Sequence, residues 1–362
     1  MLRIAIQHDK QALMSGRQQS FSTRWHERLA SAGHEARRVD AFKPGFFASL
    51  EGCDGFMWWF AHLPYPRNFG KRLLQAVEHG TGLPVFPNTR TIWHFDDKLA
   101  QQYLLEAARI PVPETRIFWT AKAAHAFCQT ATYPLVLKLA SGITSENVVL
   151  VRNAAEAQYW VSRLFERGAV TLKRRGLAVH PRTMAQRVTD AASHLLSGAM
   201  PALGRRTDLQ KGYFLVQEFL AGNAFDTRVT VIGNRAFAFR RFNRPDDFRA
   251  SGSGLIDWNP ADVALDAVRL AFHVARVLGT QSLAVDVLRR DGQALLNEIS
   301  YYYEGWAVHE CPGHWTIAPG AGADDPVVPL RWVDGKMAPE DAILEDFLAE
   351  VAMARSRAQE PP

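Results

Sequence analysis

Residues 281–300 constrain this chain more than any other stretch. QSLAVDVL and QALLNEIS are two apolar runs of strand length, with Asp291-Gly292 between them. An Asp-Gly pair between such runs signals a tight hairpin, because both turn residues must take positive φ. Each run carries one acid among apolar neighbours, Asp286 in the first and Glu298 in the second. Pairing the strands puts both carboxylates in one sheet. Two ionised carboxylates held close need a cation between them. Hard oxygen ligands suit Mg²⁺, which takes one or two carboxylates plus substrate phosphates. The same pattern also reads as one solvent-facing acid on each strand.

The residues before the hairpin set its context. The first 95 alternate strands and helices: LRIAIQ, an amphipathic stretch at 21–32, GFMWWFA, FGKRLLQAVEHG and LPVFPN. In the second helix Leu73, Leu74 and Val77 share a face, and Gly80 is the expected stop. This alternation predicts a parallel α/β layer. DDKLAQQYLLEAARI reads as a helix, ended before Pro111 and Pro113, which cannot continue it. YPLVLKLASGITSENVVLVRN reads as strand, polar loop and strand, and AAEAQYWVSRLFERG as a helix. FLVQEFLAG, DTRVTVIG and RAFAFRRF read as three successive strands. Further helices are expected at 261–278 and 340–354. The pattern divides into an α/β domain at 1–95, a central subdomain at 96–216 and a C-terminal subdomain at 217–362 carrying the hairpin.

The chain has 362 residues, 47% hydrophobic and 22% charged, which suits a globular core and excludes a largely disordered chain. No run approaches the ~18 apolar residues of a membrane span. The opening MLRIAIQHD reads as a strand, not a secretory leader. Three scattered cysteines, Cys53, Cys128 and Cys311, build no disulfide framework and fit a reducing cytoplasm, the expected location. The net charge of +5 is concentrated: residues 163–211 hold ten Lys/Arg against Glu166, Asp190 and Asp208. That stretch reads as a basic helical insertion at about 165–211. Aromatics are sparse there, so stacking on nucleic-acid bases has little support. A flap that binds an anionic acceptor is the preferred expectation, and nucleic acid is not an expected partner.

Other residues point to phosphate chemistry. Lys138 interrupts the apolar run PLVLKLA and precedes a loop with Ser141, Gly142, Thr144 and Ser145. A lysine there needs an anion or water for its head, and such loops offer N–H groups and hydroxyls to phosphate oxygens. Asp226 and Arg228, two apart on a strand, share a face; they suit ribose and phosphate, or equally form a surface ion pair. Arg240, Arg241, Arg244 and Arg249 crowd a stretch ending RASGSG, which suits a carboxylate or phosphoryl group or a solvated loop.

The order of these signals is more specific than any one of them. Lys98 before a helix, IPVPET, Lys138 with its loop, QEFL, D-x-R, Arg241…FRASGSG, Asp286 and NEIS together resemble the ATP-grasp superfamily. The likeness runs from about residue 91 to 303 and is to the branch of the ribosomal-protein glutamate ligase and bacterial glutathione synthetase. It implies an α/β and α+β protein, with ATP held between two α+β subdomains after an N-terminal pre-ATP-grasp α/β domain. By position, Lys98 and Lys138 would bind phosphates and the 141–147 loop would close over them. Gln217, Glu218, Phe219 and Leu220 would hold adenine, Asp226 ribose, and Arg228 would reach the phosphates. Asp286, Glu298 and Ser300 would hold Mg²⁺, two ions in all, with Mn²⁺ as an alternative. Arg241 and Arg249 would steady an acyl phosphate and its acceptor, with Lys138 beside them.

The activity this resemblance implies is an ADP-forming ligase joining a carboxylate to an amine through an acyl phosphate. The partners are then small or oligomeric acids and amines, with an acidic glycan, a sugar nucleotide or a peptide as acceptor. Many relatives dimerise, so a homodimer is one expectation. The alternatives are a nucleotide-binding protein without ligase activity and an ATP-grasp phosphotransferase. Two departures support the first of these: Ser300 stands where the family has asparagine, and the phosphate loop has a single glycine with Glu146. The segment ISYYYEGWAVHECPGHW is similar to ATP-grasp proteins of bacterial surface-polysaccharide biosynthesis. Its His309, Cys311 and His314 form H-x-C-x-x-H, but zinc would need a fourth ligand.

Overall fold

A computed structural model describes residues 1–9, 20–62, 64–142, 147–169, 209–317 and 329–359. Thr144, Ser145 and most of the basic stretch, 170–208, lie outside them. The chain forms two compact units: Met1–Ala61, Phe69–Thr115 and Leu220–Pro362 make the larger, and His62–Asn68 with Arg116–Phe219 the smaller.

The larger unit opens with a parallel sheet of β1 (Arg3–Gln7), β2 (Glu35–Val39), β3 (Gly55–Trp58) and β4 (Val85–Phe86), ordered β2-β1-β3-β4. Ile4, Ala5, Ile6, Phe56 and Met57 are fully buried, as continuous apolar strands covered on both faces should be. The helix Phe21–Ser31 starts where the Ser20 side chain accepts from Thr23 N–H, and the Asp9 carboxylate accepts from Phe21 N–H. The helix Pro64–Thr81 runs through Gly80, the residue expected to end it. The stop is Gly82, whose φ of +70° makes the left-handed turn that closes a helix.

The smaller unit holds β5 (Thr115–Phe118), β6 (Leu135–Lys138), β7 (Val148–Val151) and β8 (Phe214–Glu218), ordered β5-β8-β6-β7. Leu137, Val151, Phe214 and Val216 pack with the helices Ala121–Thr130 and Ala154–Glu166. The latter helix starts at Asn153, whose side chain accepts from Glu156 N–H.

The larger unit's second sheet contains β9 (Phe225–Ile232), β10 (Arg235–Phe242), β11 (Ile256–Asp257), β12 (Ser282–Arg290), β13 (Gln293–Ser300), β14 (Gly313–Ile317) and β15 (Leu330–Asp334). Its order is β13-β12-β9-β10-β14-β15, with β11 also on β10. The expected hairpin is β12–β13, with Asp291 and Gly292 at φ of +50° and +81°. One face carries Val229, Val231, Ala236, Ala238, Leu283 and Val285 against a helix, Leu265–Leu278. That helix starts four residues later than expected, because Val263 takes an extended conformation after a 3₁₀ turn at Pro260–Asp262. The opposite face, with Ile232, Phe237, Phe239 and Ala284, shares one core with the parallel sheet. The last helix, Pro339–Gln359, packs into that core through Ile343, Phe347 and Val351. Gly55 is required beneath it: a Cβ there would lie 2.9 Å from Phe347 and Val351 side-chain atoms.

Near the start of this last helix Asp341 takes a two-pronged ion pair from Arg24, at 2.7 Å on each oxygen. Its neighbour Glu340 is buried, and that burial, with Asp341 and Asp9 adding to it, pushes its carboxyl up to about 7 against the pull of Arg24. A raised carboxyl binds its proton more tightly in the folded state, so stability is lost as pH rises from about 4.5 to 7. The expected loss is of order 3 kcal/mol. Glu340→Gln is expected to flatten the urea midpoint between pH 5 and 8; an unchanged slope would refute this account.

Candidate active site

Sheet register builds the site in the larger unit. Arg241 on β10 lies opposite Asp226 on β9, Arg228 on β9 opposite Asp286 on β12, and Asp286 opposite Glu298 on β13. Residues two apart share a face, so these side chains extend the face that also carries Ile232, Phe239 and Ala284. Arg241 donates to Asp226 through Nε (2.8 Å) and Nη2 (2.7 Å), and Nη2 also reaches Asp286 at 2.7 Å. Arg228 donates to both oxygens of Asp286, at 2.7 and 2.8 Å. Asp286 is 4% exposed and Arg241 7%.

Asp226 and Arg228 therefore do not pair with each other. Each binds a residue on the neighbouring strand. Burial pushes the Asp286 carboxyl upward, but the Arg228 and Arg241 guanidiniums outweigh it and hold the group well below the usual carboxylate range. Burial likewise opposes the charge on Arg241, and Asp226 and Asp286 more than restore it.

Lys98 completes the row. It is the first residue of the helix Lys98–Ala107, whose N–H groups at Leu99 and Ala100 donate to the Asp97 carboxylate. Gln101 Nε2, one turn on, donates to the carbonyls of His94 and Ile299, which fixes the helix start beside β13. Lys98 Nζ then lies 2.9 Å from Glu298 Oε1. Lys98 is 8% exposed, yet Glu298 and Asp96 overcome its burial and raise its pKa. Glu298 keeps 36% of its side chain exposed. Within the row, Asp226, Asp286 and Glu298 are thus each partnered by a cationic side chain, Arg241, Arg228 or Lys98. Ser300, the third expected metal ligand, bonds its own turn: its hydroxyl donates to the Tyr302 carbonyl at 2.8 Å.

Arg249 lies apart from this row, in a two-pronged pair with Asp247. Arg240 points to the other face of β10, toward Asp257 and Asp262 and over the rings of Phe225 and Phe242. The H-x-C-x-x-H residues disperse: Cys311 is buried near the Ala238 carbonyl, His314 packs on Phe237, and His309 is exposed. Among the described residues no three His, Cys, Asp or Glu side chains are placed to hold a metal together.

The smaller unit carries the other set. Lys138 ends β6 in a buried position, opposite Leu215 and Val148. Gln217 and Glu218 end β8 opposite Val136 and Leu135. The chain leaves this unit between Phe219 and Leu220. Ser141 and Gly142 follow β6, and Gly142 is required, since a Cβ there would lie 2.6 Å from Asn147 Nδ2. Gln101, Asn147, Gln210 and Tyr213 were not singled out in the sequence. Gln101 sits one turn after Lys98, a spacing that could have drawn notice; the others have no local signal.

No model of a known protein family and no curated protein matches this sequence. Solved structures do match. A RimK-domain ATP-grasp protein from Sphaerobacter thermophilus DSM 20745 aligns over 85% of this chain and 95% of its own, at 18% identity and TM-score 0.50. D-alanine–D-alanine ligase from Bacillus anthracis, complexed with ATP, aligns over 97% and 98%, at 11% identity and TM-score 0.54. The ATP-grasp ligase PsnB, with minimal precursor, Mg and ADP, aligns over 96% and 98%, at 14% identity and TM-score 0.51. Among the described residues no helix is long and apolar enough to cross a membrane. The mixed α/β and α+β architecture expected from the resemblance is the one found, and the chain has the ATP-grasp fold.

Proposed function

We propose that the protein is an ATP-dependent, ADP-forming ligase that joins a carboxylate to an amine through an acyl phosphate. The observation that carries this reading is the row Lys98–Glu298 and Asp286–Arg228–Arg241 on one face of the antiparallel sheet of an ATP-grasp fold. Lys98 and Lys138 take the nucleotide's phosphates, with Ser141 and Gly142, and with Thr144 and Ser145 from outside the described residues. Gln217, Glu218, Phe219 and Leu220 take adenine. Arg228 reaches the phosphates, and Arg241 and Arg249 steady the acyl phosphate. Both oxygens of Asp226 already accept from Arg241, so a contact with ribose competes with that pair.

The donor set fits a hard cation in kind: Asp286 and Glu298 are carboxylates at paired positions of β12 and β13, with Ser300 two residues on. Glu298 is the better placed, being partly exposed with one cationic partner, Lys98, among the described residues, whereas both Asp286 oxygens accept from arginine. When bound, Mg²⁺ supplies positive charge to the transferring phosphoryl group; Mn²⁺ is an alternative. Because lysine and arginine already balance these carboxylates, Mg²⁺ alone is expected to bind weakly and to bind well only with nucleotide. Calorimetry with and without ADP checks this, and tight binding of Mg²⁺ alone would refute it.

In the reaction a carboxylate oxygen attacks the γ-phosphorus of ATP and ADP leaves. The amine nitrogen then attacks the acyl carbon, phosphate leaves, and the nitrogen loses a proton. The chain's contribution is position and charge. ADP release with Mg-ATP over a panel of amino acids, acidic peptides, uronic acids and carboxylate sugar nucleotides, followed by mass spectrometry, tests the proposal. ADP that appears only with an acid–amine pair, with a product of their summed mass less one water, supports it. A phosphorylated non-carboxylate product would replace it with phosphotransfer. One observation favours a second reading, nucleotide binding without ligation: Ser300 is committed to its own turn. Nucleotide-induced thermal stabilisation without ADP from any pair would support that reading.

A further inference from the structure

A chain of hydrogen bonds crosses the base of the loop that follows β6. Ala140 N–H donates to Tyr213 Oη at 2.7 Å. Tyr213 Oη donates to Gln210 Oε1 at 2.7 Å. Gln210 Nε2 donates to Ser141 Oγ at 3.1 Å. On the other side, Asn147 Nδ2 donates to the Ser141 carbonyl at 2.7 Å. Tyr213 is 4% exposed and Gln210 8%.

The direction of this chain is not arbitrary. A backbone N–H can only donate, so Tyr213 receives from Ala140 and has one proton left to give. That proton goes to Gln210, which sets the amide with its oxygen toward Tyr213 and its NH₂ toward Ser141. Ser141 Oγ therefore accepts, and its own hydrogen remains available to donate. Gln210 is itself held rigidly, since its backbone exchanges two 2.8 Å hydrogen bonds with Ala169. Nothing about Ser141 alone would favour donor over acceptor; a hydroxyl rotates to suit its partner.

We propose that Tyr213 and Gln210 are positioning residues that make Ser141 a fixed hydroxyl donor for an anionic oxygen, a phosphate oxygen of the bound nucleotide. This rests on the nucleotide-binding reading above. A hydrogen bond to a charged group is strong enough that losing it weakens binding about tenfold or more. The loss falls on the phosphates and leaves the base untouched.

Calorimetry with Mg-ATP and with adenosine, which has no phosphate, separates the possibilities. Tyr213→Phe and Ser141→Ala are each expected to weaken Mg-ATP about tenfold and leave adenosine unchanged. The double variant should lose no more than either alone, and Ser141→Thr, which keeps the hydroxyl, should bind as the parent does. If Tyr213→Phe does not fold, Gln210→Met interrupts the same chain without touching the buried ring. Parent-like Mg-ATP affinity in Tyr213→Phe or Gln210→Met would overturn the positioning role and leave the nucleotide reading intact. Equal losses for ATP and adenosine would also overturn it, because they would mean general disruption. A parent protein that binds neither compound would overturn both readings.

Discussion

Asp286→Ala is expected to destabilise the larger unit by about 3–5 kcal/mol, the usual result of removing one partner from a buried ion pair. Asp286 receives three guanidinium contacts, two from Arg228 and one from Arg241. Removing it leaves Arg228 without its two hydrogen-bonded carboxylate oxygens and Arg241 with Asp226, which also feels the Arg228 charge. A guanidinium cannot shed its proton to escape burial, so the charge stays and is poorly paired. Against a typical stability of about 5–15 kcal/mol, the loss is a large share of the total. Urea unfolding measures it. A midpoint equal to the parent's would show that water compensates the arginines and that Asp286 is not structurally required.

Glu298→Gln is expected to have the opposite profile, with little loss of stability and a loss of ADP formation of about 10²–10³-fold, the scale of removing one preorganised electrostatic group. Glu298 has over a third of its side chain exposed and accepts from Lys98 Nζ. The glutamine oxygen can still accept that bond, so Lys98 keeps a partner. What disappears is the negative charge at the position paired with Asp286, which a hard cation needs. Parallel urea curves and ADP assays decide the matter. Turnover within a few-fold of the parent would remove Glu298 from the proposed metal site. The two acids occupy directly paired positions, and the contrast between their variants separates a structural carboxylate from a chemical one.

Much of the fold was legible because it follows from short-range rules. The Asp291-Gly292 turn needed only its own backbone preference and the apolar runs beside it. The strands β8, β9 and β10 followed from apolar runs of strand length with turn residues between them. Helix starts and stops were less legible where one local rule met another. Gly80 is a poor helix residue, but Gly82 two places on is the one that adopts positive φ. The 261–278 pattern extends back over a stretch whose backbone turns instead at Asn259, whose side chain accepts from Ala261 N–H.

The local pattern alone determined which residues bear charge inside apolar strands, and therefore where unusual chemistry must lie: Lys138, Asp226, Asp286 and Glu298; Lys98, at a helix start, stood out only in the order of the motifs. That pattern did not determine their partners. Arg228 meets Asp286 across 58 positions, and Lys98 meets Glu298 from a helix far upstream. The first pairing depends on the order β13-β12-β9-β10 and its register, the second on where the helix Lys98–Ala107 starts beside β13, and spacing along one strand encodes neither. The same holds for the Ser141 hydroxyl, whose donor direction comes from Tyr213, 73 positions from the Ala140 N–H that orients it. Periodicity reports which face a side chain takes; only the assembled sheet decides what waits on that face, and so whether a carboxylate is left for a ligand or is already spent on an arginine.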